Sequence, residues 1–203
     1  MFLSSFSSTN VNSYIRAGKI VKNHLRKKKL PAHKILNKWK KIISEGDSKL
    51  KDKKLDLIDV MLKTPEENIE VLTKSTKVGN KTRTTVTGLA AIRQNKVFTN
   101  EYTVDYLVGN PASGDKFKGA IDSLGETLKR NYLVEDGKRN LSKIVTLSPT
   151  NAKVRDLYVE RLGMRPSIDG LMIPISRLKT KVPEIDSLPK YNGFFIGDIT
   201  ISI

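Results

Sequence analysis

Residues 101–128 read EYTVDYLVGNPASGDKFKGAIDSLGETL, and the succession of strand, loop and helix in that stretch decides the class of fold. Residues 97–108 are the longest strand candidate in the chain. Tyr102, Val104, Tyr106 and Val108 alternate onto one face, and Thr103, Asp105 and Leu107 onto the other. Gly109-Asn110-Pro111-Ala112-Ser113-Gly114 ends the strand. The spacing then predicts a helix from near Asp115 to about Tyr132, with Phe117, Ala120, Ile121, Leu124 and Leu128 on its apolar face. A glycine-containing loop that opens a helix presents unpaired N–H donors to an anion. Loop 110–119 is therefore the best place in the chain for a phosphate or pyrophosphate.

Downstream of that helix, Asp136-Gly137 turns the chain, and residues 141–147 (LSKIVTL) form a short strand with β-branched content. Ser148-Pro149-Thr150-Asn151 caps a further helix whose Val154, Leu157, Tyr158 and Leu162 share a face. Gly163 stands where a left-handed C-terminal cap takes glycine. Residues 170–175 are another apolar strand, and 193–203 hold one or two more. Upstream, residues 69–73 and 84–92 alternate as a hairpin about Gly79-Asn80, and Gln94-Asn95-Lys96 makes the next turn. Leu55, Ile58, Met61 and Leu62 fit a helix, whereas Ile58, Val60 and Leu62 alternate like a strand; periodicity leaves both open. A meander followed by helix, strand, helix and strand predicts an α/β fold over residues 51–203, with a mixed, mostly antiparallel sheet flanked by helices.

Composition narrows the chemistry. The 203 residues include no Cys, which excludes a disulfide framework, a thiol nucleophile, a thiolate zinc site and an iron–sulfur cluster. The two histidines, His24 and His33, lie among lysines that repel a cation, so no metal site is expected. No run approaches the ~18 apolar residues of a membrane span. The formal net charge is +16, and eleven of the 37 Lys and Arg precede Glu45, the first acid. Residues 1–50 thus read as a basic helical segment of two amphipathic helices. Val11, Tyr14, Ile15, Val21 and Leu25 line the first. Leu30-Pro31 breaks it, and Ala32, Ile35, Leu36, Trp39, Ile42 and Ile43 line the second. The polar run 45–54 (EGDSKLKDKK) reads as a connector. Docked surface helices with solvated lysines account for this segment, and so does an electrostatic footprint of residues 11–41 for nucleic acid or an acidic partner. Residues 1–12 lack the apolar stretch of a secretory signal, which points to an intracellular, cytoplasmic chain. Their serine-rich, acid-free composition also matches an organelle transit peptide.

Residues 145–152 (VTLSPTNA), Asp156-Leu157-Tyr158 and Leu162-Gly163-Met164 resemble the strand, Asn-Ala helix start, Leu-Tyr pair and Leu-Gly-Phe of the GNAT family of N-acetyltransferases. Thr87-Gly88-Leu89-Ala90-Ala91-Ile92 is similar to that family's third strand. Tyr106-Leu107-Val108, with the loop and helix that follow, is similar to its fourth strand and acetyl-CoA pyrophosphate loop. The resemblance covers about residues 55–178 and leaves the N-terminal segment unexplained. One motif departs from the pattern. The family's loop reads Gln/Arg-x-x-Gly-x-Gly/Ala, whereas Lys116-Phe117-Lys118-Gly119-Ala120-Ile121 begins with lysine and ends with a bulky side chain.

The resemblance implies a GNAT-like acyl-CoA-dependent N-acyltransferase with acetyl-CoA as co-substrate and an amine as acceptor. Backbone amides at Ser113, Gly114, Gly119 and Ala120, with Lys116 and Lys118, would hold the pyrophosphate. Leu107 and Val108 would present backbone N–H to the thioester carbonyl. Asn151 would touch the CoA arm, Tyr158 would protonate the departing thiolate, and Glu101 or Asp105 would take the amine's proton. Each has a plainer role as well: core tyrosine, helix cap, solvated strand carboxylates. Two other functions fit the same residues. One is a non-catalytic GNAT-like protein whose basic N-terminal helices bind nucleic acid or an acidic partner. The other is a toxin-like acetyltransferase acting on aminoacyl-tRNA.

Overall fold

The computed structural model describes residues 31–46, 51–112, 117–196 and 199–202; Val11 to Leu25, the first predicted helix, lie outside them. Helix α1 (Ala32–Glu45) forms because Ala32, Leu36, Trp39 and Ile43 recur at four, three and four residues, and all four are buried. Helix α2 (Lys51–Lys63) settles the ambiguous stretch in favour of the helix and begins inside the run expected as a connector. Its buried Ile58 and Met61 lie three apart, as one helical face requires. His33 ties the two together: its backbone N–H donates to Glu66 Oε1 at 3.0 Å, and its Nε2 lies 3.0 Å from the Thr64 carbonyl.

Strands β1 (Ile69–Val78), β2 (Lys81–Gln94) and β3 (Glu101–Gly109) form the antiparallel meander. Then follow α3 (Lys118–Tyr132), the hairpin of β4 (Val134–Glu135) and β5 (Lys138–Asn140), β6 (Ile144–Leu147) and α4 (Ala152–Leu162). Next come β7 (Arg165–Ser167), β8 (Gly170–Pro174), α5 (Pro183–Asp186), β9 (Lys190–Tyr191), β10 (Gly193–Ile196) and β11 (Ile199–Ser202). The main sheet has six strands in the order β1-β2-β3-β6-β8-β7, with β3 and β6 its parallel pair. A smaller sheet joins β4, β5 and β9. The architecture is α/β with a mixed, mostly antiparallel sheet.

Helices cover the two faces of the main sheet unequally. On one face, α3 and α4 bury Ile121, Leu124, Leu128, Tyr158 and Leu162 against Ile92, Tyr102, Val104, Val145, Leu147 and Ile173. On the other, α1 and α2 bury Leu36, Trp39, Ile43, Ile58 and Met61 against Ile69, Leu89, Ala91 and Val108. Each such buried aliphatic contributes on the order of 1.5–3 kcal/mol. Two turns follow from residue chemistry. Asp136 (φ 47°) and Gly137 (φ 75°) make the two-residue β4–β5 turn, and Gly163 (φ 75°) ends α4 in the left-handed conformation.

Two details of β3 depart from simple alternation. The strand starts at Glu101, because Asn95 Oδ1 accepts from the N–H groups of Val97 and Phe98 and holds them in the preceding turn. The pairing with β2 also steps from Val104↔Ile92 to Tyr106↔Ala91, so Asp105 is an extra residue, a β-bulge. The bulge reverses the faces beyond it. Tyr102, Val104 and Leu107 share one core, while Val108 belongs to the other.

Candidate functional site

The bulge lies where β3 and β6 separate. Their parallel register runs Glu101↔Ile144, Tyr102↔Val145, Thr103↔Thr146 and Val104↔Leu147, and stops there. Beyond the bulge, residues 106–109 continue paired with β2 alone, so their backbone on the β6 side has no strand partner among the described residues. Backbone groups left open inside a sheet must be met by solvent or a ligand. Leu107 and Val108 lie on this unpartnered stretch, one in each core.

Helix α3 starts beyond that open strand end. It comes close to the sheet because Gly88 carries no side chain: a Cβ there would lie 2.7 Å from Ala120 Cβ and 2.8 Å from the Val108 carbonyl. The first intrahelical bond runs from Ile121 N–H to the Phe117 carbonyl at 3.0 Å, so the amides of residues 118–120 precede the helix's own acceptors. Among the described residues no side chain caps this terminus, and no acid stands in the helix's first turn. A Cβ on Gly119 would meet nothing within 4 Å, and Lys118 is exposed beside it. Ala120 and Ile121 are fully buried, and Ile121 is spent in the core between helix and sheet. Ser113, Gly114 and Lys116 lie outside the described residues.

Helix α4 brings Tyr158 to the same region. The Tyr158 ring packs edge-on to Phe117, the residue before α3, with centroids 6.3 Å apart. Burial pushes its hydroxyl well above the ordinary tyrosine range. Asn151 caps α4: its Oδ1 accepts from Val154 N–H at 3.0 Å, and its amide NH₂ donates to Thr150 Oγ1 at 3.4 Å.

Glu101 and Asp105 occupy the opposite face of the sheet, the half that α1 and α2 leave open. A groove of about 580 Å³ runs there, lined by Glu101, Thr103, Thr146, Ser148, Asp169 and Met172 among others. Glu101 accepts from Asn95 Nδ2 at 3.4 Å and from Thr146 Oγ1 at 3.5 Å, and Thr103 and Thr146 hydroxyls lie 3.1 Å apart. Asp105 does not line the groove. The bulge turns it toward Arg93, which binds both its oxygens at 3.1 and 3.2 Å. Glu101 is thus available to a ligand in the groove, whereas Asp105 is engaged by a guanidinium.

The structure brings Leu107, Ala120 and Tyr158 into one cluster and sets Glu101 on the other side of the sheet. Sequence reasoning missed the groove. Its visible signal was two threonines, Thr103 and Thr146, one in each strand, and only the parallel β3–β6 register puts them side by side. It also missed the packing role of Gly88. No group of His, Asp and Glu side chains among the described residues is arranged to hold a metal ion, and no helix among them is long and apolar enough to cross a membrane. No family model, no curated protein and no solved structure matches the chain.

Proposed function

We propose that this chain is an acyl-CoA-dependent N-acyltransferase of GNAT-like fold, passing an acyl group, acetyl in the simplest case, to an amine by direct attack. The observation that carries this reading is the parting of β3 and β6 after Val104↔Leu147. It leaves a strand end of open backbone immediately before the loop that leads into α3. An extended, amide-rich chain such as the pantetheine arm matches open strand backbone, because each can satisfy the other's donors and acceptors.

The residues present suit the nucleotide end of that co-substrate. The free amides that open α3, the lack of acids in its first turn, the open space at Gly119 and the exposed Lys118 all favour a pyrophosphate. Acyl-CoA supplies the activated acyl group. The chain supplies orientation, with the backbone N–H of Leu107 facing the carbonyl oxygen on which charge develops, since Val108, two residues before the Asn110 N–H that bonds Thr87, turns its own toward β2. Glu101, in the groove across the sheet, is the base for an amine entering from that side, directly or through a water. Tyr158, a phenol beside the entrance of α3 and protonated at neutral pH like any tyrosine, is the proton donor to the leaving sulfur.

Calorimetric titration of the full chain with acetyl-CoA tests the reading. One binding site per chain, with a matching rise in melting temperature, is expected. Absence of binding heat and of any thermal shift overturns it and leaves a non-catalytic binding protein.

A further inference from the structure

The β1–β2 hairpin runs far beyond the body it belongs to. Residues 74–85 are all exposed, yet they stay paired as a ribbon through five rungs, from Lys74↔Thr85 to Val78↔Lys81. At about 3.4 Å per residue, the five residues of each strand make an arm of roughly 15 Å. Gly79, with φ 59°, supplies the turn at its tip. The arm has a defined root. The register steps from Leu72↔Gly88 to Thr73↔Val86, so Thr87 is a bulge that separates the buried half of β2 from the exposed half. Asn110 fastens this root from the end of β3: its side-chain amide donates to the Val86 carbonyl at 2.8 Å and its backbone N–H to the Thr87 carbonyl at 2.9 Å.

The arm's composition is one-sided. It carries Lys74, Lys77, Lys81 and Arg83 and no acid, and five of its other residues are Ser or Thr. None of the four cations has a carboxylate partner in the salt bridges among the described residues. Directly paired residues share a face, so Lys74, Thr76, Val78, Lys81, Arg83 and Thr85 form one surface that holds three of the four cations. Edge-strand protection accounts for a lysine or two on β1. It does not account for two strands leaving the core together, or for β2 carrying two of the charges.

We propose that this ribbon is a nucleic-acid-binding arm that enters the major groove of double-helical DNA. A two-stranded ribbon fits a B-form major groove about 12 Å wide, whereas the A-form major groove is too narrow to admit it. The cations reach phosphates along the groove walls, and the threonine hydroxyls face base edges and phosphates. The assignment does not depend on the transferase reading, since the arm lies outside the groove and the α3 terminus.

The experiment measures binding of the full chain to a B-form DNA duplex of about 20 base pairs, and to duplex RNA of the same length, across a series of salt concentrations. The arm variant carries Lys74→Gln, Lys77→Gln, Lys81→Gln and Arg83→Gln. A charge-matched control carries Lys138→Gln, Lys153→Gln, Lys181→Gln and Lys190→Gln, all exposed on the body. The arm variant is expected to bind DNA at least tenfold more weakly. Its log affinity against log salt should be shallower by about 3.6, since each phosphate neutralised by one of the four cations adds roughly 0.9 to the slope. The preference for DNA over RNA should vanish with it, and the control should lose far less. Equal weakening in the control assigns the effect to bulk charge and overturns the proposal. So does an arm-dependent preference for RNA, or full DNA affinity in an arm variant whose unchanged circular dichroism shows it folded.

Discussion

The ring of Tyr158 stands edge-on to that of Phe117, its plane inclined by 76° and its centroid 6.3 Å away. This contact joins the middle of α4 to the entrance of α3. It fixes a phenol beside the first turn of α3, where we propose that the pyrophosphate binds. The Tyr158 hydroxyl makes no hydrogen bond to a described residue, so its removal strands no partner. Tyr158→Phe should therefore keep the melting temperature or raise it by a few degrees. If the hydroxyl serves the leaving group, kcat for acetyl transfer falls by about 10²-fold. Melting curves together with steady-state kinetics separate this from a purely structural tyrosine, for which kcat would not move.

Glycine substitutions at the two ends of the α3 contact should act in opposite directions. Gly88→Ala places a methyl group against Ala120 and the Val108 carbonyl, both on rigid elements. Overpacking of this kind costs roughly 1–3 kcal/mol, read as a lower urea midpoint. Gly119→Ala meets open space within a helix and should stabilise by up to about 1 kcal/mol. Under the transferase reading the same methyl crowds the ligand, so acetyl-CoA binding weakens while the fold gains stability. A variant that gains both stability and affinity would count against pyrophosphate at this helix terminus.

The two carboxylates of β3 should differ sharply. Glu101→Gln removes the only β3 carboxylate in the groove and should lower kcat by about 10²-fold or more. Asp105→Asn loosens a surface pair with Arg93 whose contribution to stability is about 0–1 kcal/mol, and kcat should stay within about twofold. Equal kinetic losses in both variants would show that the bulge at Asp105 matters as much as the carboxylate in the groove.

Stability should fall at both pH extremes, for separate reasons. Burial alone would raise the carboxyls of Glu135 and Asp186. Donors outweigh it: Asn140, Tyr191 and Lys143 hold Glu135 below the ordinary range, and Lys129 with the Val182 N–H does the same for Asp186. Their stabilisation is present above the ordinary carboxylate range of about 4 and is lost as pH falls through the lowered values. Tyr191 is pushed up to about 12, first by burial and then by its bond to Glu135. Tyr132 is raised further by burial and by Glu70. The tyrosine contribution is complete below about pH 10 and is lost as pH climbs through the raised values. Urea midpoints measured against pH should trace this plateau. Asp186→Asn should flatten its acid side and Tyr191→Phe its alkaline side.

Much of the fold was legible in local pattern. The stripe Ala32, Leu36, Trp39 and Ile43, the hairpin turns at Gly79 and Asp136-Gly137, the Asn151 cap and the Gly163 stop each act within a few residues. Periodicity and turn chemistry therefore expose them. The start of β3 was misplaced because an Asx turn at Asn95 competes with strand formation for Val97 and Phe98, and β-propensity alone does not register that competition. The site was legible in part. Tyr158 and Gly119 fall beside the helix terminus, but Glu101 and Asp105, four apart, were expected to act alike, and the bulge gives them different neighbours.

Residue order by itself determined the α/β class, the basic N-terminal segment and the absence of cysteine chemistry, because each depends on composition or on contacts along the chain. The parting of β3 from β6, the exchange of faces at Asp105, the groove beside Glu101 and the exposed arm of β1 and β2 were decided only in three dimensions. They arise from which strands pair and where pairing stops. That is set by helices packing from distant parts of the chain onto two faces of one sheet, and no local window of sequence contains it.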